Sequence, residues 1–269
     1  MTKFTVEIKD KDNVASAFDF TNTIHQLGEP PLPRGGSGAI WLRGQADADW
    51  PLKPSIARLP EIGGLYDPAR MSPDNLYEKE RETLQRFRRD SYPFVQRELT
   101  DWEAITVGQH HGLPTRLLDW TSNPLVALFF AAEKESDKDG AVFAFRRRNN
   151  SQYHVSMFSG QNPKKPNPPN PLRVPGIKMV FPMLIANRLI AQSGGFTIQD
   201  PLKCIMERAT EDFAKTHLDV LELYKWKLCK SAKPKILAEL HRVSINRRSL
   251  FPGLDGVGQG IQIAEKFRK

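Results

Sequence analysis

The chain has 269 residues, of which 39% are hydrophobic and 26% charged, a balance typical of a folded protein rather than a disordered one. No stretch approaches the roughly 18 apolar residues that span a bilayer, and the charged start lacks the apolar stretch of a signal peptide. The two cysteines, Cys204 and Cys229, lack CxxC spacing and indicate neither a disulfide framework nor a zinc site. We therefore expect a cytoplasmic protein that does not bind membranes.

The net charge is positive, because 39 lysines and arginines against 31 acidic residues give +8. Such a charge favours association with phosphate-bearing partners. The basic residues are spread along the chain, and neither zinc-finger spacing nor an aromatic RNA-binding signature accompanies them. A nucleic acid and a protein both stay open as targets, and the sequence does not indicate an oligomeric state.

The N-terminal region predicts a strand, a helix and a second strand. Residues Phe4 to Ile8 alternate between apolar and polar side chains, as in a short strand. A helical pattern follows over Val14 to Leu27. After a glycine-rich turn, the apolar residues Ala39 to Leu42 predict a strand that carries Arg43 at its end.

Two capped helices come next. Ser72, followed by a proline, is typical of an N-cap and a first helical position, and the charged helix should run to about Asp90. Thr100 and Glu103 have the spacing of a capping box. The helix that they start should stop near Gly112.

Two strands then enclose a buried helix. Residues Arg116 to Trp120 predict a short strand. An asparagine followed by Pro124 starts a helix, whose sequence LVALFFAA is apolar enough to be buried. Gly140 leads into AVFAF, which predicts another strand.

The second half begins with a proline-rich segment, residues 161–175, which excludes regular structure and indicates an exposed loop or connector. PMLIANRLIAQSGG predicts a helix closed by its two glycines, and FTI a strand. Residues Val220 to Leu228 alternate as a long half-buried strand, Pro234 opens another helix, and the tail from Asn246 is helical or turn-like. Strands and helices mix without a regular βαβ order. This predicts an α+β fold, with a mixed, mostly antiparallel sheet and flanking helices.

Arg43 is the first candidate ligand-binding side chain. Its guanidinium is a rigid set of donors suited to a phosphate or carboxylate. Gly44 permits close approach of a ligand or of backbone, and Gln45 adds an amide. A structural ion pair between Arg43 and an acid such as Asp47 or Asp119 explains the same residues equally well.

The segment from Gln109 to Thr121 is the densest group of polar candidates. Histidine titrates near neutral pH and can act as an acid or a base, but adjacent histidines point in different directions, so at most one faces a given site. An ion pair between Arg116 and Asp119 would instead hold the turn, and no third ligand at helical spacing indicates a metal. The polar and aromatic residues of this segment are Gln109, His110, His111, Thr115, Arg116, Asp119, Trp120 and Thr121.

A third segment contains Arg188 and Gln192. A spacing of four places both on one face of the predicted helix, as the polar face of any amphipathic helix would. Glycines at 256, 258 and 260 have no preceding strand, so we reject a dinucleotide-binding loop there.

Four segments in order resemble the FRG family: WLRGQADADWPLKPSIAR, GQHHGLPTRLLDWTSNPLVALFFAA, NRLIAQSGGFTI and KILAELHRVSINRRSLFPGLDG. They extend from about residue 39 to 260, which implies one FRG-type domain over residues 1–269. Leu42 stands where the family name expects phenylalanine, a change that affects packing rather than the chemistry of Arg43. The resemblance implies a toxin or phage-defence effector.

The order of elements also resembles ADP-ribosyltransferase-like folds, which begin with a strand ending in arginine and continue with a polar strand leading into an apolar helix. The resemblance implies that Arg43 holds the pyrophosphate or ribose of NAD and that Asp119 to Thr121 shape the nicotinamide pocket. Gln192 would orient a ribose hydroxyl. Transferases usually place a glutamate there, and a neutral amide stabilises developing positive charge less well.

The first functional hypothesis is therefore an ADP-ribosyltransferase-like enzyme that uses NAD and no metal to modify a nucleic acid or protein. A non-catalytic module that binds a nucleotide or phosphate-bearing ligand is the alternative, and a nuclease or other hydrolase using His110 or His111 is the third. The catalytic assignments are Arg43, His111 and Gln192. The ligand-binding assignments are Gln45, His110, Arg116, Asp119, Trp120, Thr121 and Arg188.

Overall fold

The computed structural model describes residues 8–11, 13–27, 40–58, 72–147, 155–156, 170–174, 177–181, 187–199 and 220–267. The strands in these ranges are β1 (Ile8–Lys11), β2 (Ile40–Gln45), β3 (Leu117–Thr121), β4 (Gly140–Arg147), β5 (Val155–Ser156), β6 (Ile177–Phe181), β7 (Gly194–Gln199) and β8 (Val220–Leu228). The helices are α1 (Ala17–Leu27), α2 (Pro73–Val95), α3 (Asp101–His110), α4 (Pro124–Ala132), α5 (Asn187–Ala191), α6 (Lys233–Arg242), α7 (Arg247–Leu250) and α8 (Leu254–Phe267).

The strands form one sheet in the order β1-β8-β4-β2-β3-β7-β6-β5. The pairings at the two edges, β1 with β8 and β5 with β6, are parallel, and the pairings between them are antiparallel. The predicted α+β class with a mixed, mostly antiparallel sheet is confirmed.

Local side-chain chemistry explains where the central helices begin. Ser72 accepts a hydrogen bond from the N–H of Asn75, and Thr100 and Glu103 form the predicted capping box. Asn123 accepts from the N–H of Leu125, which starts α4 at Pro124. Helix α2 continues past the expected Asp90 and ends at Val95, because the C-cap residue Gln96 has a left-handed backbone that terminates the helix.

Helix α4 packs closely over the middle of the sheet because two strands present glycines beneath it. A Cβ on Gly44 would lie 1.9 Å from the carbonyl oxygen of Ala127, and one on Gly140 would lie 2.4 Å from that of Ala131. Helices α1, α4 and α6 share a hydrophobic core with Leu42 and other side chains of β2, β4 and β8. The glycines therefore set the distance between the helix layer and the sheet.

A buried lysine ties the ends of these elements together. The ammonium group of Lys233, at the start of α6, donates to the carbonyl oxygens of Ala46, Lys134 and Glu135 at 2.7, 2.9 and 2.7 Å. Ala46 follows β2, and the other two follow α4, so a positive charge meets the carboxyl end of a helix. Burial lowers the pKa of Lys233.

Helices α2 and α3 cover the neighbouring strands through a second core that contains Trp102, Leu117, Phe196 and Ile198. A third core contains Trp41, Trp120, Phe143 and Phe145. Trp120 and Phe145 meet edge to face with ring centroids 4.5 Å apart.

Two predictions about the second half need correction. Residues 161–169 of the proline-rich segment lie outside the described residues. Pro171–Arg173, however, form a 3-10 turn, which Asn170 caps by accepting a hydrogen bond from the N–H of Leu172. Leu172 is buried, so this part of the segment is not an exposed loop. The glycines expected to close a helix instead begin β7, since Ser193, with a φ of 47°, makes the turn after α5. Residues 1–7, most of the predicted first strand, also lie outside the described residues.

Candidate functional site

The candidate site lies where the two central strands of the sheet part. Strand β2 pairs with β4 along its whole length but with β3 only through Leu42 and Thr121. Beyond that pair, a side-chain hydrogen bond connects β2 with β3 in place of backbone pairing: Nη1 of Arg43 donates to the carbonyl oxygen of Asp119 at 2.9 Å. Arg43 therefore spans the junction between the two halves of the sheet.

Arg43 also faces the carboxylate of Asp119. Its Nη1 lies 3.7 Å from Asp119 Oδ2, and the two side chains are 17% and 54% exposed, so the pair is loose and open to solvent. Of the two acids expected as partners, the structure selects Asp119, whereas Asp47 pairs with Lys138 at 2.7 Å. Gln45 supports the arrangement by accepting from Arg43 Nε at 3.4 Å and donating to the carbonyl oxygen of Trp50 at 2.7 Å.

A hydrogen-bonded chain orients the Asp119 carboxylate from the side of α3. Gln109 Nε2 donates to Asp119 Oδ2 at 3.0 Å, and Gln109 Oε1 accepts from the hydroxyl of Thr115 at 2.5 Å. The N–H of Thr115 in turn donates to the hydroxyl oxygen of Ser55 at 3.0 Å. The Gln109 amide is thus fixed in orientation, while about half of the Asp119 side chain stays exposed.

Further cationic groups lie around Asp119. The guanidinium of Arg188 donates to the carbonyl oxygen of His110 at 3.4 Å, and the His110 ring packs against Phe196 with centroids 5.8 Å apart. Burial lowers the pKa of His110, while the charge of Asp119 raises it and the charge of Arg188 lowers it. The pKa of Arg43 is lowered by burial, raised by Asp119 and lowered again by the nearby Arg58.

Several of these groups have unused hydrogen-bonding capacity. Within the described part of the chain, the buried atoms Arg58 Nε, Arg188 Nε and His110 Nε2 have no hydrogen-bond partner. Buried polar groups are normally paired, so such atoms indicate a place where a ligand or solvent completes the site. We call the following set the Asp119 cluster: Arg43, Arg58, Gln109, His110, Asp119 and Arg188.

Arg116 lies apart from the Asp119 cluster. Its guanidinium forms a buried, two-pronged ion pair with the carboxylate of Glu80 and donates to the carbonyl oxygen of Leu172 at 2.9 Å. The alternative expectation of an ion pair with Asp119 is therefore wrong, because helix α2 supplies a closer and fully buried acid. Arg116 joins α2, β3 and the turn at Leu172.

The other sequence candidates hold the framework around the cluster. Trp120 is buried and donates through its indole N–H to Thr197 at 2.9 Å. The hydroxyl of Thr121 donates to the carbonyl oxygen of Gln192 at 2.6 Å, and the Gln192 amide donates to that of Leu250 at 3.1 Å. His111 is exposed and ends α3, where its N–H donates to backbone carbonyls.

Sequence reasoning did not assign Arg58 to the site, and it counted Gln109 among the polar residues of its segment without giving it a role, although both lie in the FRG-like segments. A signal for Gln109 was its place one residue before His110 in the last turn of a helix that leads into β3. Arg58 ends the segment LKPSIAR, whose last four residues form a 3-10 turn (Ser55–Arg58). The N–H of Ile56 in this turn donates to the carbonyl oxygen of Thr115, just before β3, at 3.1 Å.

The fold and the cluster together define an α+β protein with a cationic, partly exposed polar site at the junction of its central strands. Residues 38–140 match the family model of the FRG domain, so an FRG domain is present in this segment of the chain. The match contains every member of the Asp119 cluster except Arg188. No match was found among curated proteins or among solved structures.

The described residues contain neither a candidate membrane-spanning helix nor a candidate metal-binding group of side chains. Among the described helices, none combines the length and apolar composition needed to cross a bilayer. Within the described residues, no group of three or more histidine, cysteine or acidic side chains is arranged to hold a metal ion.

Proposed function

We propose that the Asp119 cluster binds a nucleotide-type ligand through its phosphates. The observation that carries the proposal is an imbalance of charge among the described residues of the cluster. The charge of Asp119 acts on Arg43 and Arg188, and a third cation, Arg58, acts on Arg43. Mutual repulsion and partial burial of these cations both favour an anionic ligand, because an added negative charge relieves the first and compensates the second.

The arrangement of the cations favours a ligand with two anionic groups. Arg43 is close enough to Arg58 for the two positive charges to repel. The charge of Arg188 likewise disfavours protonation of His110. The negative charge of Asp119 attracts Arg43, Arg188 and protonated His110. A pyrophosphate offers one anionic group to each pair. A carboxylate can accept hydrogen bonds from ribose hydroxyls, as one does in dinucleotide-binding folds, and the exposed carboxylate of Asp119 has the chemistry for that role.

Isothermal titration calorimetry with ADP, NAD, ADP-ribose, pyrophosphate and adenosine tests this function. We expect the phosphate-bearing compounds to bind, adenosine to bind much more weakly, and added salt to weaken binding. Arg43→Gln should reduce affinity about tenfold or more, since a charge-assisted contact is lost. Arg86→Gln is the matched control, because Arg86 is 79% exposed on α2 and lies outside the cluster.

Asp119→Asn tests directly how the charge of the cluster affects binding. Removing the negative charge of Asp119 should strengthen the binding of pyrophosphate, which has no ribose to contact this residue. The affinity of ADP relative to that of pyrophosphate should therefore fall. Equal affinities in wild type, Arg43→Gln and Asp119→Asn would mean that the phosphate-bearing compounds bind elsewhere and would remove the proposal.

An ADP-ribosyltransferase-like reaction on NAD is the second candidate, and the exposed, Gln109-oriented carboxylate of Asp119 favours it. In that reaction the bond between ribose C1′ and nicotinamide breaks, and nicotinamide leaves with the electron pair. A nucleophile, water or a group of the target, then bonds to C1′ and loses a proton. Asp119 would stabilise the positive charge that develops on the ribose, in place of the Gln192 amide, which is directed to Leu250.

Labelled NAD incubated with the folded protein and cell extract tests the enzymatic candidate. Nicotinamide release that disappears in Asp119→Asn, while NAD binding persists, would support it. Binding without release of nicotinamide or transfer of label would leave a non-catalytic nucleotide-binding module. The role of a toxin or defence effector rests on the family resemblance, and NAD-dependent growth arrest on expression, absent in Arg43→Gln, would support it.

A further inference from the structure

The C-terminal helices reach the Asp119 cluster through one aromatic ring. Phe251, directly after α7, has its ring centroid 4.5 Å from the guanidinium carbon of Arg188 and 4.6 Å from that of Arg247. Phe251 lies outside residues 38–140, the segment that matches the FRG domain. The cluster is therefore contacted by a part of the chain beyond the matched segment.

The position of Phe251 is fixed from several sides. Arg247 pairs with Glu133 just after α4 and hydrogen-bonds Gln259 on α8. Gly256 on α8 approaches the backbone of Phe251 so closely that a Cβ would lie 1.8 Å from its carbonyl oxygen. The ring also meets Phe130 edge to face at 6.0 Å. These contacts hold the ring as part of the packed structure.

Arg188, by contrast, has few directional contacts of its own. It lies on the five-residue helix α5, its hydrogen bond to His110 is long at 3.4 Å, and its buried Nε has no partner among the described residues. Within the same part of the chain Arg188 forms no ion pair, and the Asp119 charge acts on it without a direct bond. A cation over an aromatic face is attracted to the ring, so Phe251 supplies the contact that restricts the guanidinium.

We propose that Phe251 is a positioning residue that holds the Arg188 guanidinium beside His110 and Asp119, so that the C-terminal helices complete the anion site. A second contact joins the same two regions, since the amide of Gln192, directly after α5, donates a hydrogen bond to the carbonyl oxygen of Leu250. The consequence for a ligand rests on the proposed function of the cluster, whereas the placement of Arg188 is testable without any ligand.

The first test is the titration of His110, followed by NMR in the full-length protein without ligand. His110 is faced by Asp119, Arg188 and His111, and the charge of Arg188 lowers its pKa. In Phe251→Met, which removes the ring but keeps an apolar side chain of similar length, Arg188 is released and the pKa of His110 should rise. Phe251→Trp restores a stronger aromatic face and should return it toward the wild-type value.

The matched control is Phe18→Met, the same substitution at an exposed phenylalanine on α1, which should leave the His110 titration unchanged. A pKa of His110 that is the same in folded Phe251→Met and in wild type would overturn the proposal. If Phe251→Met does not fold, Phe251→Trp and Phe251→Tyr decide the matter: both should keep the pKa of His110 low, and a rise in either contradicts the role of the ring.

The second test is a double-mutant cycle with pyrophosphate as the probe. Phe251→Met should weaken binding about two- to thirtyfold, the range of a cation–aromatic contact. Arg188→Met should weaken it at least as much, and the double variant no further than Arg188→Met alone. Additive effects would overturn the proposal. If wild-type protein binds no pyrophosphate, the proposed function fails, and the His110 titration still decides whether Phe251 positions Arg188.

Discussion

Gly44 follows the candidate ligand-binding Arg43, and its substitution by alanine separates two roles for the Arg-Gly pair. In the structure, Gly44 is required for the close packing of α4 on β2. An added Cβ would lie 1.9 Å from the carbonyl oxygen of Ala127 and 2.6 Å from the nitrogen of Ala131. Both contacts are with backbone atoms of α4, so the clash cannot be relieved by a change of side-chain rotamer. Because Gly44 lies within an ordinary strand, close approach and not an unusual φ requires glycine here.

The size of the effect follows from the clash. Ordinary contact begins at 3.4 Å, so the helix must move away by about 1.5 Å (3.4 − 1.9) to admit the methyl group. Overpacking costs about 1–3 kcal/mol where side chains can adjust, and a rigid helix backbone places Gly44→Ala at the upper end or beyond. We expect a loss of about 3 kcal/mol in the free energy of unfolding and a Tm lower by roughly 6–12 °C.

Differential scanning calorimetry and urea denaturation measure this loss, and Gly258→Ala is the control. Gly258 lies in α8, where an added Cβ would meet nothing within 4 Å, so alanine there should stabilise the helix by about 0.5–1 kcal/mol. An unchanged Tm in Gly44→Ala together with lost nucleotide binding would refute this explanation. Gly44 would then be required for the close approach of a ligand rather than for the packing of α4.

Three further outcomes follow from buried charges. Arg116→Met should cost about 3–5 kcal/mol in urea denaturation, because the carboxylate of Glu80 loses its buried partner, while the affinity of the folded protein for pyrophosphate stays unchanged. Lys233→Met should cost about 2–4 kcal/mol by the same measurement, since three backbone carbonyl oxygens lose their donor; a loss below about 1 kcal/mol would contradict this. Burial lowers the pKa of His110 from its ordinary 6.5, so the unfolded chain takes up this proton first. Stability present above pH 6.5 is therefore lost as the pH falls through that value, and unfolding measured from about pH 7 to 5 should decline less steeply in His110→Gln.

The parts of the fold that could be predicted are those determined by neighbours in sequence. Ser72, Thr100 and Asn123 cap helices because each side chain bonds to a backbone N–H two or three residues away. The alternation of Val220 to Leu228 likewise identifies β8. The order of the strands depends on contacts between distant segments, and no periodicity in the sequence specifies that β2 meets β3 at one residue pair.

The same limit applies to the candidate site. The sequence indicated the segments that contain Arg43, Asp119 and Arg188, and the fold brings these three residues to one place. Sequence reasoning assigned the catalytic role to His111 rather than His110, because the environment of the His110 ring depends on its packing against Phe196 of β7, a distant segment. It also did not foresee that the amide of Gln192 is taken by the carbonyl oxygen of Leu250, 58 positions away.

Arg43 and Arg116 show why the surroundings of an arginine, rather than its place in a motif, separate support from binding. Both lie near β3 and face a carboxylate. Arg116 and Glu80 are 6% and 4% exposed and bonded at two points, so their hydrogen-bonding capacity is largely spent within the protein. Arg43 lies 3.7 Å from a carboxylate that is 54% exposed, with a second arginine nearby. An incoming phosphate gains little from the Arg116–Glu80 pair, since it would have to break two buried bonds. Arg43 instead offers a cation whose ion-pair partner among the described residues, Asp119, is about half exposed to solvent.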